Sequence, residues 1–311
     1  MSNIIEINHL NKSFGSFQAI HDLSFSLESG KIYGIIGPNG AGKSTTMSLL
    51  VGLIFPSSGT GLINGYQLGS LEAKKIMGYS PEFPSFYSDM SCLEYLVYMG
   101  TLSGLSEDEA FKRTKALLDE FDLTDHMFNK VNKFSTGMKK KVGLIQAMIH
   151  DPEILLLDEP TANLDPTSRS EIIRTLKRLV DQRKMTVLIS SHVLSELETI
   201  IDHVLMINKG HVVLDAPIEQ VQNEFNKEII LVKCSDMEKL ENYLIQKDYD
   251  YSNDKGRLRI RATNKEQCKQ DIVEFIYLNH LVLDLLQEEV VSLERLYQQF
   301  LEEGDNDGTR I

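Results

Sequence analysis

Apolar residues recur along this chain with two different periods. Leu23, Phe25 and Leu27 alternate with Ser24 and Ser26, the period of a half-buried strand. Residues 32–36 form a short apolar run that Gly-Pro-Asn-Gly interrupts, and residues 43–52 then take helical character. From about 91 to 150 the period is helical, as in Leu93, Leu96 and Val97 and again in Ala116, Leu117 and Phe121. Residues 154–157 and 186–189 read as two more buried strands with a helix over 169–180 between them. Strands alternating with helices predict an α/β unit, a parallel sheet covered on both faces. Residues 204–207 and 212–214 flank Asn208-Lys209-Gly210 and predict a hairpin.

After about Pro217 the pattern changes. Residues 228–234 read as a strand and 237–246 as a helix, and 249–252 with 258–262 as a hairpin around Asp254-Lys255-Gly256. A helix over 265–278, a strand over 282–287 and a last helix over 293–301 complete the series. The order βαββαβ plus a helix predicts a small α+β ferredoxin-like accessory domain. The expected division is therefore 1–220 and 221–311, with a helical part at about 88–150 and a polar, frayed end over 302–311.

Composition narrows the function classes. The chain has 311 residues, 42% of them apolar, enough for one large core or two domains. Thirty-two basic against 45 acidic residues give a net charge of −13, which disfavours nucleic acid as a partner. Cys92, Cys234 and Cys268 lack the spacing of a metal site and read as packed thiols in a reducing compartment. The first ten residues have neither the basic start nor the apolar core of a signal peptide. No apolar run is long enough to span a bilayer, so the chain is expected to be soluble or held at a membrane by a partner.

The candidate chemistry begins after the strand at 32–36. Gly37, Pro38, Asn39, Gly40, Ala41, Gly42, Lys43 and Ser44 fit G-x-x-x-x-G-K-[ST], with Thr45 following. Glycines let backbone N–H groups turn inward on phosphates, and the helix that follows favours anions at its N-terminus. Lys43 is expected to reach the β- and γ-phosphates of ATP, and Ser44 to ligate Mg²⁺. The run 154–157 ends in Asp158 and Glu159. One carboxylate there suits a hydrated Mg²⁺, and the next can polarise an attacking water.

Between these elements lies Phe134-Ser135-Thr136-Gly137-Met138-Lys139, which resembles the signature of ATP-binding cassette ATPases, usually Leu-Ser-Gly-Gly-Gln. Ala162-Asn163-Leu164-Asp165 is similar to that family's D-loop, and Ile189-Ser190-Ser191-His192 to its switch histidine. Glu82 stands at the Q-loop position and Phe14 at the place of the aromatic that stacks on adenine. Six elements in the family's order span about residues 4–215. The resemblance implies a P-loop NTPase core, RecA-like, with an antiparallel β subdomain and a helical subdomain.

It also implies a head-to-tail pair of ATP-binding subunits with two ATPs between them. Ser135 and Gly137 of one subunit would cap the γ-phosphate held by the other. Glu159 would be the general base, His192 would contact the γ-phosphate, and Glu82 would meet Mg²⁺. Asp165 joins the nucleotide-binding set with Phe14 and the phosphate loop. The departures are Thr136 for Gly, Met138 for Gln and Glu82 for Gln. Glu82 keeps an oxygen for a Mg²⁺-bound water, adds a negative charge and, while ionised, donates no hydrogen bond.

The short signature and the separate C-terminal domain resemble exporters of drugs, antibiotics and peptides, whose integral-membrane permease is usually another chain. Such a subunit would lie on the cytoplasmic face of the membrane, held there by the permease. Phe86, Tyr87, Tyr95 and Tyr98 would suit a groove for a permease helix, or would pack the helical part's own core. The run Lys139, Lys140 and Lys141 reads as a solvated helix face. The alternative function is a soluble cassette ATPase with a regulatory role outside transport.

Overall fold

Long strands open the chain. β1 (Asn3–Phe14) and β2 (Phe17–Glu28) pair antiparallel. β3 (Ile32–Ile36) leads through the phosphate loop into α1 (Lys43–Val51). β4 (Ser58–Ile63) and β5 (Tyr66–Gln67) extend the first sheet to the order β2-β1-β4-β5. α2 (Leu71–Lys75) precedes β6 (Met77–Ser80). The helical part holds α3 (Cys92–Leu102), α4 (Glu107–Glu120) and α5 (Thr136–Met148). β7 (Ile154–Asp158), α6 (Pro166–Arg183), β8 (Thr186–Ser191), β9 (His203–Asn208) and β10 (His211–Pro217) follow.

This computed structural model describes residues 3–191, 197–225, 229–254, 256–262 and 264–288, giving the backbone alone over 222–225. The chain divides into two compact units, one running to Ile218 and the other beginning at Glu219.

In the first unit the strands β9-β3-β8-β7-β6 run parallel, and β10 closes one edge antiparallel to β9. Every residue of β3, β7 and β8 is buried. That is why these strands read as continuous apolar runs, since a parallel sheet is covered on both faces. One face, through Tyr33, Ile35, Leu156 and Leu188, joins a core with Met47 and Leu50 of α1 and with Ile7 and Leu23 of the antiparallel sheet. Helices α3 and α4 start at Ser91 and Ser106, each a capping box closed by a glutamate three residues on.

The second unit is the α+β arrangement that its βαββαβ order implies. α7 (Ile218–Phe225) leads towards β11 (Ile229–Cys234), α8 (Met237–Gln246), β12 (Asp250–Asp254), β13 (Arg257–Arg261), α9 (Lys265–Leu278) and β14 (Leu283–Glu288). Its sheet has the order β12-β13-β11-β14 and is antiparallel throughout. Leu240, Leu244, Ile272 and Ile276 of the two helices pack with Ile230, Val232 and Ile260 in one core. The helix expected over 293–301 lies outside the described residues. All three cysteines are buried and free, and burial pushes the Cys92 thiol up to about 12.

Candidate functional site

The register of the parallel sheet brings together the segments singled out in the sequence. Ile36 pairs with Ser191, Asp158 with Ser190 and Ser80 with Leu157. The carboxyl ends of β3, β6, β7 and β8 therefore lie side by side, the usual place for a ligand in an open parallel sheet. The phosphate loop, Glu82, the two acids and the end of β8 all follow from those ends.

The loop after β3 turns tightly, with Ala41 N–H donating to the Pro38 carbonyl at 3.1 Å. Gly42, the cap of α1, has φ +110°, a conformation that a side chain would strain. Lys43 is buried, and its Nζ donates to the Gly37 carbonyl at 2.7 Å and the Pro38 carbonyl at 3.2 Å. The same Nζ lies 4.0 Å from Glu159 Oε1. Burial pushes the Lys43 ammonium below its ordinary range, and the charges of Glu159, Asp158 and Glu82 oppose that shift. Ser44 and Asn39 are exposed and Thr45 is half-buried, on the open side of the loop.

Asp158 and Glu159 are both buried. The Ser190 hydroxyl donates to Asp158 Oδ1 at 2.6 Å and accepts the Glu159 N–H at 2.9 Å. Glu159 has φ +48°, a left-handed backbone that costs a non-glycine residue about 1–3 kcal/mol and persists only where its neighbours impose it. The sequence marks Ser190 only as a neighbour of His192. Its part in fixing both acids depends on the pairing of β7 with β8 and has no local signal.

Lys140 corrects the reading of residues 139–141 as a solvated face. It is buried, and its Nζ donates to the carbonyls of Glu82 at 2.6 Å and Glu159 at 2.8 Å. The physical reason is its helix face: Gly143, Leu144, Ala147 and Met148 follow it at helical spacing and are buried with it. Tyr95 is likewise no groove residue, being buried with its hydroxyl on Gln146 Oε1 at 2.6 Å. Tyr87 and Tyr98 are exposed and Phe86 is half-buried.

Ser135 caps α5, its Oγ accepting from Met138 N at 3.3 Å, and Gly137 lies half-buried within the first turn. Among the described residues, the bonds of Ser135 stay within its own helix and do not reach the phosphate loop. Asp165 caps α6, accepting from the amides of Thr167 and Ser168 and from the Ser168 hydroxyl at 2.6 Å. Those bonds, the hydroxyl first, hold its carboxyl below the usual range. Phe14, at the end of β1, is half exposed with Lys12 Nζ 5.0 Å from its ring centroid. His192 lies outside the described residues.

The donor set suits a magnesium nucleotide. No cluster of three or more metal-binding side chains exists among the described residues. Mg²⁺ is commonly held by one or two carboxylates together with the phosphates of its nucleotide, and does not need a protein cage. A buried ammonium resting on loop carbonyls beside two acids can exchange those carbonyls for phosphate oxygens. No helix among the described residues is long and apolar enough to cross a membrane.

Residues 20–162 match the family model described as ABC transporter. The bacitracin transport ATP-binding protein of Bacillus licheniformis is 34% identical over 275 residues, covering 86% of this chain and 88% of that protein. The linearmycin resistance ATP-binding protein of Bacillus subtilis is 36% identical over 212 residues, 68% of each chain. A solved ATP-binding subunit of an ABC transporter superposes with TM-score 0.64 at 30% identity, covering 71% of this chain and 93% of that one.

Proposed function

The chain belongs to the ATP-binding proteins of ABC transporters, and from that premise we propose that it powers export of a drug, antibiotic or peptide through a separate membrane permease. It is an ATPase by family. The observation that carries the site assignment is the buried Lys43 ammonium, held on two loop carbonyls 4.0 Å from Glu159. ATP takes those positions with its β- and γ-phosphates, and the loop from Gly37 to Thr45 wraps them. Ser44, Asp158 and Glu82 are the residues that would hold Mg²⁺, whose charge would be set against that of the phosphates.

Glu159 acts as the general base on the attacking water, and His192 holds the γ-phosphate. Ser135 and Gly137 of a second ATP-binding subunit close the site, with Asp165 near that junction, and Phe14 stacks on the adenine. The amides at the head of α5 suit an anion, since that helix end carries unsatisfied N–H groups. Export is supported by the names of the bacitracin and linearmycin relatives. Exposed Phe83 and Tyr87, before α3, and Tyr98 within it support a permease contact there, at the cytoplasmic face of the membrane.

The test is a tagged Glu159→Gln chain expressed in its native cell. Loss of the base should slow ATP hydrolysis by about 10²–10⁴-fold while ATP still binds. The ATP-loaded variant should run as a dimer and bring down a multi-span partner from membranes. Turnover equal to wild type would remove Glu159 as base, and recovery without a membrane partner would remove the exporter assignment.

A further inference from the structure

A lysine ammonium carries three protons and no acceptor. In a protein interior it is costly unless those protons are bonded and its charge is opposed. Lys140 has two of those protons bonded and its charge opposed. Those two protons go to main-chain carbonyls of segments far apart in sequence, Glu82 and Glu159. Burial pushes its ammonium below the ordinary range, and Glu82, Glu159 and Asp158, in that order, hold it up.

Glu159 gains most from this arrangement. Its N–H is taken by Ser190 Oγ at 2.9 Å. Its carbonyl accepts from Lys140 Nζ at 2.8 Å and from Ala162 N at 3.2 Å. A left-handed residue is thereby gripped on both sides of its Cα, which fixes the direction in which its side chain leaves the backbone.

The other end of the grip is the body formed by α5 and β6. A Cβ on Gly78 of β6 would lie 2.0 Å from the Ala147 carbonyl of α5, and one on Gly143 of α5 would lie 3.2 Å from Ser80 Oγ. Strand and helix are packed backbone to backbone and cannot slide past one another without breaking that contact. Glu82 lies two residues past the end of β6, and Ser135 heads α5.

We propose that Lys140 is a positioning residue for hydrolysis, clamping the backbone of Glu159 and tying its aim to α5 and the Glu82 segment. The same ammonium balances the charge that Glu82 brings where the family usually has Gln. The inference rests on Glu159 as the general base. Displacement of α5 or of the Glu82 segment then reaches the base through one side chain.

The test compares steady-state ATP hydrolysis and equilibrium ATP binding in full-length variants. Lys140→Met should lower kcat by about 10- to 100-fold, the effect of a misplaced reacting group, with Kd for ATP changed by less than about threefold. Lys140→Arg, which still donates to both carbonyls, should recover most of the rate. Lys140→Gln combined with Glu82→Gln should be faster than the product of the two single effects, because the charges leave together.

Parallel loss of binding and rate in Lys140→Met, additive effects in the double variant, or kcat at the wild-type level would each overturn the proposal. Glu159→Gln in the same assay separates the two assignments. Full turnover in that variant means the base lies elsewhere and this inference falls with it. An inactive Glu159→Gln beside a fully active Lys140→Met overturns the positioning role alone.

Discussion

Ser190→Ala removes one fully buried oxygen that serves two neighbours. The Glu159 N–H loses the acceptor it meets at 2.9 Å, and Asp158 loses a hydroxyl donor at 2.6 Å. A buried amide left without a partner costs about 1–3 kcal/mol. A hydrogen bond to an ionised carboxylate contributes about 1.5–3 kcal/mol. The two losses share one atom and are not independent, so the expected total is roughly 3–4 kcal/mol. At about 2–4 °C per kcal/mol for a unit of this size, the nucleotide-free protein should melt roughly 6–16 °C lower.

Ser170→Ala is the comparison, because its Oγ bonds the Pro166 carbonyl at 2.9 Å on an exposed turn of α6. A surface change of that kind should stay within about 0.5 kcal/mol. Differential scanning calorimetry of both variants gives the melting shift. ATP hydrolysis by Ser190→Ala should also fall by about 10- to 100-fold, since Asp158 and Glu159 both lose their fixed direction. A Ser190→Ala protein melting within about 2 °C of wild type would refute the reasoning, because the acids would then be held by something other than this hydroxyl.

Lys43→Ala should lose most of its affinity for ATP in isothermal titration, since it deletes the one buried ammonium of the phosphate loop; unchanged affinity would refute the loop assignment. His150 is half-buried with Nε2 on the Met77 carbonyl at 3.0 Å and Nδ1 without a partner among the described residues, and desolvation pushes its pKa below 6.5. The folded form thus favours the neutral ring, so its stabilisation is complete above about pH 6.5 and is lost as pH falls below that value, where only the unfolded chain protonates readily. The urea midpoint should drop between about pH 7.5 and pH 5.5, and His150→Gln should flatten that slope; equal slopes in the two proteins would count against this.

Most of the architecture was legible because burial leaves a periodic trace. β7 reads as a strand since both its faces are covered, and Met237–Gln246 and Lys265–Leu278 read as helices to the residue since each has one apolar stripe. The phosphate loop was legible because its glycines answer to backbone geometry, which is local. Lys140 and Ser190 were not, because their partners are 58 and 32 residues away in the chain, at Glu82 and Asp158. For Lys140 a signal existed: Leu144 and Met148 lie four and eight residues on, so a lysine stands in the apolar stripe of α5. For Tyr95 the sequence left groove and core both open, and the structure selects the core, since Cys92 and Leu96 are buried with it while Tyr98 turns outward.

The two buried lysines divide the work of the site by the kind of oxygen they hold. Lys43 rests on the carbonyls of Gly37 and Pro38, which belong to the loop that must reorganise around the triphosphate. Those bonds are replaceable, because a phosphate oxygen is a stronger acceptor for an ammonium than a neutral carbonyl. Lys140 rests on carbonyls of Glu82 and Glu159, on two segments whose strands are hydrogen-bonded side by side. On the proposed reading, one ammonium leaves the protein's own backbone for the ligand, while the other holds Glu159, the proposed base, where that ligand will need it. Three carboxylates, those of Glu82, Asp158 and Glu159, raise the cost of removing either cation. Exchanging the two roles would require the phosphate loop to be rigid and the base to be free, the reverse of what each backbone allows.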